Sequence, residues 1–497
     1  MSITKVSLAE NNELDNEDEK TELKSPNNNN LSEINITSFH DQVDRETFID
    51  ILFNFLNLFI SNALLFLALY LENLISLYFL SSTYNNLDIL DAVGLVDMYC
   101  SVLMFSFITF VISVFTFQGP VSYGSQNYKQ FGLQLHRTLI IAMCLWLVLY
   151  TIHYFSASKL MLILGMDIYQ YEYFDSYIKV YMIANVFEFM HQTFTAYLCI
   201  INKSWISVFI ILFTLCLHVL LCFLLITILN FGVIGASLAT LLTNLITVLL
   251  EFSYIMIFKP HPESFFFFTL ESFDMKEIWE FLKFYFSMLP IGICAFWSGQ
   301  IQAIIAFSLK KYYLGAHVVL KNIEFVAFSV AIGSAIAASM AISLYIGQKQ
   351  LHKIKVVLYT ALVFSNCLIV FVLMFFIIFR HQMIGAFIND EYIIDITLQV
   401  FPLYCFYLIL EVNNYVLEFF FRSCGFRLLN IITPIVAYFV LMLGLSLILT
   451  QVLSLNILGL WISSLCAEVA CVAVFTIVFF VSDIPGSIEN MMKEAKL

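Results

Sequence analysis

Glu411, Tyr415, Glu418 and Arg422 recur at i, i+4, i+7 and i+11 within FPLYCFYLILEVNNYVLEFFFRSCGFR, residues 401–427. Helical geometry lines them up in one narrow stripe. The surrounding stretch is apolar enough to cross a bilayer, where an ionised carboxylate is costly and marks a functional site by default. A carboxyl group removed from water, or beside a second acid, favours its protonated form. It can take a proton from an acidic side, release it on the other side and bind a cation while ionised. Proton and substrate then compete for one place, which is the minimal chemistry of antiport. The plainer alternative is a hydrogen bond between helices.

Few other acids lie in apolar runs. Glu72 precedes Ser76 by one turn and has Asn73 beside it; Asp97 precedes Ser101 by one turn. Glu188 shares a face with Gln192 and Thr195, with His191 at its edge. These four acids, Glu411, Glu188, Asp97 and Glu72, are the candidates for proton or cation coupling. Lys321 and Glu324, at i, i+3, suit a simple pair. Glu418 and Arg422, at i, i+4, suit an ion pair or a gate at an inner helix end. Glu468 suits an inter-helix hydrogen bond, and Glu251 falls near a helix end. Tyr181, Tyr197, Trp297, Tyr404, Tyr407 and Tyr415 offer cation-π faces. At 16% aromatic content, however, most rings must be packing or lipid-facing residues.

The elements that position these groups are membrane helices. The 497 residues are 61% hydrophobic and 12% charged, and apolar runs of bilayer length recur along the chain. The short alternating segments of a membrane barrel are absent. Of the net charge of −13, residues 1–50 carry −8, so the acidity belongs to a tail and implies no nucleic-acid partner. All eleven cysteines sit in apolar runs without CxxC spacing, and the nine histidines form no HExxH. Neither metal ligation nor a disulfide framework is expected. A polar start predicts no cleavable signal peptide.

Twelve spans are expected near 51–80, 92–117, 136–156, 175–200, 205–229, 232–258, 284–309, 315–345, 355–379, 394–421, 428–450 and 457–481. EIWEFLKF (277–284), after the run Phe265 to Phe268, reads as an interfacial helix. With the N-terminus inside, 17 Lys and Arg fall on the inner side and 4 on the outer, which predicts both termini cytosolic. An internal repeat divides the chain. Gly124 in SYGSQNYKQ matches Gly347 in LYIGQKQLHK at an offset of 223, and Gly235 matches Gly459 at 224. The same offset carries Glu188 onto Glu411. Six helices per repeat is an even number, so both halves insert the same way round, about an axis along the membrane normal.

These anchors resemble the eukaryotic branch of the multidrug and toxic compound extrusion (MATE) family across residues 51–482. LDAVGL (90–95), SYGSQNYKQFGLQLHRT (122–138), FGVIGASLATLLTN (231–244), FLKFYFSMLP (281–290) with Trp297, and Glu411 to Gly425 followed by ILGLWIS (457–463) occur in the family's order and spacing. The resemblance implies a secondary antiporter that expels organic cations or amphipathic compounds against protons or sodium, with Glu411 in a cavity. Ser101, Gln192, Trp297, Gln300, Asn322 and Tyr415 are the candidates for lining the substrate cavity. The chain departs from the family in its seventh span, where CAFWSGQIQ (294–302) has no Glu, and in its eighth, where Asn322 stands for a Glu and the usual Arg is missing. The first span lacks the proline proposed to gate bacterial members.

The expectation is thus an all-α polytopic membrane protein with two pseudo-symmetric six-helix lobes around a central cavity. The boundaries are a disordered cytosolic tail 1–48, a first lobe 49–259, a linker 260–283 with the interfacial helix, a second lobe 284–482 and a cytosolic tail 483–497. It would work as a monomer in the plasma membrane or an organelle membrane, with no cofactor beyond a coupling proton or sodium. A lipid or lipid-linked oligosaccharide flippase is the alternative, disfavoured because the cavity candidates are acidic. An enzyme is not expected, since no nucleophile–base or ligand cluster occurs.

Overall fold

The computed structural model describes residues 45–494 apart from positions 85, 164 and 389. The tail expected to be disordered lies outside the described residues up to position 44. Positions 45–48 already belong to the first helix.

The described chain is helical apart from its turns and the linker 259–269. Backbone amides and carbonyls have no water to bond inside a bilayer, so an apolar chain satisfies them within helices. Eleven helices are long and apolar enough to cross a membrane: α1 (Arg45–Tyr84), α2 (Asp88–Gly124), α3 (Tyr128–Ile163), α5 (Ser204–Ile228), α6 (Gly232–Phe258), α7 (Met275–Leu309), α8 (Tyr312–Gly347), α9 (His352–Ile378), α10 (Glu391–Ser423), α11 (Arg427–Val452) and α12 (Asn456–Val481). The twelfth, α4 (Ile168–Ile200), is more polar because Glu172, Asp175, Lys179 and Glu188 lie within it. A final helix, α13 (Ile484–Glu494), follows α12. Most helices overrun their expected spans by one or more turns, because hydropathy marks the hydrocarbon slab and not the end of the helix.

One expected element is absent as such. Residues 277–284 are not a separate interfacial helix; they are the first turns of α7, which the Asp274 side chain caps at the amide of Lys276, 2.9 Å away. The remaining linker is strapped to α3. His136 donates from Nε2 to the carbonyl of Phe266 and accepts at Nδ1 from the hydroxyl of Ser272, each at 2.9 Å.

The repeat recurs in the backbone. Left-handed residues close equivalent turns at Gln126 and Lys349, Asn202 and Gly425, and Asn230 and Ser454, with φ of 62° and 59°, 59° and 87°, and 54° and 56°. Helices α4 and α10 both run 33 residues, are both capped by an aspartate (Asp167, Asp390) bonded to the amide of a tyrosine two positions on, and carry Glu188 and Glu411 at the same place. The Asp-x-Tyr caps are a sequence signal of the repeat additional to the glycines.

Gly124 and Gly347 do more than end helices. A Cβ on Gly124 would overlap the carbonyl oxygen of Leu344, and one on Gly347 would overlap that of Val121. The contact is reciprocal, so α2 and α8 touch backbone to backbone across the pseudo-symmetry axis at the face that bears the chain's ends. α1 packs on α8 and α7 on α2, which completes the join between lobes.

Candidate functional site

The coupling candidates fall into two clusters, one per lobe. In the first lobe α1, α2 and α4 bring Glu72, Asp97 and Glu188 within electrostatic reach of one another. Gln192, one turn on, donates to Glu188 Oε1 at 3.0 Å. Asp97 lies beside Tyr181 and Asn73. Ser101 opens a π-helical turn, Ser101–Phe105, in the same helix.

In the second lobe α8, α10, α11 and α12 converge on Glu411. The Tyr407 hydroxyl sits 3.3 Å from Glu411 Oε1 and 3.1 Å from Glu324 Oε1, and its single proton can serve either. Glu324 also accepts from Lys321 Nζ at 2.8 Å. Across the cluster Glu468 accepts from Tyr438 at 2.8 Å, and Asn414 donates to the same tyrosine at 2.8 Å. Glu324, Glu468 and Lys321 all act electrostatically on Glu411. The second carboxylate oxygens of Glu324, Glu411 and Glu468 have no hydrogen-bond partner in the protein.

Lys321 and Glu324 do pair, as their spacing suggests, but the pair belongs to the Glu411 cluster. Spacing along α8 cannot show this, because the partners come from α10 and α12. Glu468 makes its expected inter-helix bond and is likewise drawn into the cluster.

A third buried group joins α4 to α6. Glu251 accepts from Thr195 at 2.8 Å, and its other oxygen lies 3.0 Å from His191 Nδ1. The edge position of His191 on its face is what aims it at α6.

The remaining candidates are placed as follows. Trp297, half-buried, donates its indole N–H to the carbonyl of Val102 at 2.8 Å, a carbonyl in the π turn of α2. Gln302 bonds the carbonyl of Leu460 and the hydroxyl of Ser464, at 3.0 and 2.7 Å. These two polar groups of α7 therefore serve helix packing, while the acids of this lobe come from α8, α10 and α12. Gln300 is half-buried. Asn322 bonds its own helix at Val318, and its carbonyl accepts from Tyr70 of α1 at 2.8 Å. The Tyr415 ring packs edge-on against Phe328, with centroids 5.7 Å apart. Tyr197 holds the linker through Ser264 and so lies apart from both acid clusters. Glu418 and Arg422 form a buried ion pair; the guanidinium lies 4.3 Å from the Phe419 ring and 5.7 Å from that of Phe110 on α2, beside the inter-lobe contact. All eleven cysteines are free, and no group of three or more metal-ligating side chains occurs among the described residues.

The MatE family model matches residues 291–452. The crystal structure of the eukaryotic MATE transporter AtDTX14 superposes with a TM-score of 0.83 at 15% identity, covering 90% of this chain and 99% of that one. Protein DETOXIFICATION 12 of Arabidopsis thaliana is 25% identical over 383 residues, 76% of this chain and 78% of the relative. The chain is similar to the MATE family over most of its length. Human multidrug and toxin extrusion protein 1 is a more distant relative, 21% identical over 68% of this chain and 59% of its own length. These similarities support a secondary transporter and not an enzyme. The second-lobe acid cluster of this chain carries a lysine and, among the described residues, draws no carboxylate from α7.

Proposed function

We propose that this MATE-like protein exports organic cations or amphipathic compounds in exchange for protons by alternating access of its two lobes, with both termini in the cytosol. The observation that carries the reading is the pairing of Glu188 and Glu411. Each is a buried acid at the same place in equivalent helices, and each sits in a cluster of carboxylates inside its lobe. A buried carboxylate that can be neutralised by a proton or by a substrate cation supplies the competition antiport requires. Hydroxyl and amide donors on these acids, from Tyr407 and Gln192, suit proton exchange. In this reading the contact between Gly124 and Gly347 closes the cytosolic side, and the Glu418–Arg422 pair reinforces it. Sodium in place of the proton is the variant that ion substitution separates.

A flippase needs cationic groups free to hold phosphate. Lys321 is paired with Glu324 at 2.8 Å and Lys179 with Asp175 at 2.6 Å, which favours export of cations over movement of lipid phosphates. Purified protein in liposomes separates the two. The expected result is uptake of a fluorescent cation driven by a pH gradient, with scrambling of a fluorescent phospholipid no faster than in empty liposomes. Scrambling without cation uptake would overturn the proposal.

A further inference from the structure

We propose that Glu324, Tyr407 and Trp461 form the subsite for a substrate's ammonium group, and that Lys321 is a built-in cation that occupies this subsite when no substrate is bound. The inference rests on the export reading and names the place in which the substrate's charge is held.

Lys321 Nζ lies 2.8 Å from Glu324 Oε1, 5.7 Å from the Trp461 ring and 6.0 Å from the Tyr407 ring. A cation between a carboxylate and two aromatic faces is how ammonium ligands are recognised. Here the cage already holds a cation from the chain itself. Accessibility is unequal across the pair: the Lys321 side chain keeps 35% of its surface and Glu324 keeps 9%. The lysine is therefore the more exposed member of the pair, with the carboxylate more deeply enclosed. Trp461, Tyr404 and Tyr407 beside it are buried. A ligand must move the ammonium aside to reach Glu324, and a flexible four-carbon stem allows this.

An independent observation points to the same place. His317 has no hydrogen-bond partner on either ring nitrogen, and neither do the Tyr404 hydroxyl, the Trp461 indole N–H or one oxygen each of Glu324, Glu411 and Glu468. His317 is 1% exposed and its ring lies 5.7 Å from that of Trp461. Such buried atoms normally find partners. Their gathering around one lysine, from α8, α10 and α12, suits a site whose hydrogen bonds change with what occupies it. The charged and titratable groups facing Lys321 are His317 and Glu324 of α8, Tyr407 and Glu411 of α10 and Glu468 of α12, with Tyr404 and Tyr438 behind them against the acids. Three acids against one base leave room for up to two further positive charges, such as a proton and a substrate ammonium. A permanent structural ion pair is the competing account.

Binding of radiolabelled tetraethylammonium to the purified full-length protein distinguishes them. K321M, which removes the internal competitor, is expected to bind about five-fold tighter than wild type, and E324Q about ten-fold weaker. Equal or weaker binding by K321M, with a melting temperature near that of wild type, overturns the inference. Absence of binding to either protein overturns it as well. Should K321M fail to fold, reductive methylation of the wild-type chain gives the answer. Saturating tetraethylammonium is expected to speed modification of Lys321 about three-fold by freeing it from Glu324, with Lys310 unchanged; an unchanged Lys321 rate contradicts displacement. Cation-driven proton flux by the wild type tests the export reading separately. Flux with unaltered K321M affinity removes only the subsite, whereas no flux removes the export reading.

Discussion

Glu411→Gln is expected to lower pH-driven cation transport on the order of a hundredfold, the size of effect that follows loss of a proton-transferring side chain. The carboxamide keeps the volume of the side chain and can still accept from Tyr407, so the cluster stays packed. It cannot gain or lose a proton, nor neutralise a substrate cation. Its second position, now an N–H group, replaces an oxygen that has no partner in the protein. Removing a buried charge of this kind leaves stability unchanged or raises it. The melting temperature is therefore expected to stay near that of wild type while transport is lost. Glu188→Gln is expected to behave alike, because the acid holds the equivalent place in α4. Initial rates of fluorescent-cation uptake into proteoliposomes under a pH gradient check both. Wild-type rates in both variants would remove the two acids from the mechanism.

Gly347→Val is the second large effect. A Cβ at this position overlaps the Val121 carbonyl, and the obstacle is backbone, so no rotamer change relieves it. The ends of α2 and α8 must separate. Forcing volume into a packed contact costs about 1–3 kcal/mol, which is comparable with the gap between alternating states of a transporter. The population is expected to move toward the state open at this face, and transport to fall by about ten-fold or more because the closed state is visited rarely. Spin labels at Lys203 and Lys349, exposed turn residues of the two lobes, read the change directly. A new distance population longer by about 5 Å is expected. A wild-type distance distribution together with wild-type transport would show that the glycine contact sets no conformational balance.

The pattern of apolar runs was sufficient to place twelve helices and divide them into two lobes, because the bilayer leaves the backbone little choice. The offset of 223 paired Gly124 with Gly347 and Glu188 with Glu411, and both pairs are equivalent in space. What hydropathy could not show was where helices end: residues 277–284 look interfacial by composition, yet they continue directly into α7 because Asp274 caps the helix ahead of them. The site was legible in part. Glu411 and Glu188 stood out because each is an acid within an apolar run and the repeat offset carries one onto the other. Glu324 was read as a local partner of Lys321 and Glu468 as an inter-helix hydrogen bond, since the helices that unite them with Glu411 are neighbours only in the folded chain. The π turn in α2, which presents a carbonyl to Trp297, has no sequence signature to distinguish a packing indole from a cavity one.

The account stands or falls on exchange of protons for substrate. Purified protein in liposomes with a trapped pH indicator, given an outward gradient of an organic cation in sodium-free buffer, should show proton movement opposite to the cation. Glu411→Gln should abolish this movement, and adding sodium should leave it unchanged. Cation movement without proton movement, or proton movement only when sodium is present, would contradict it.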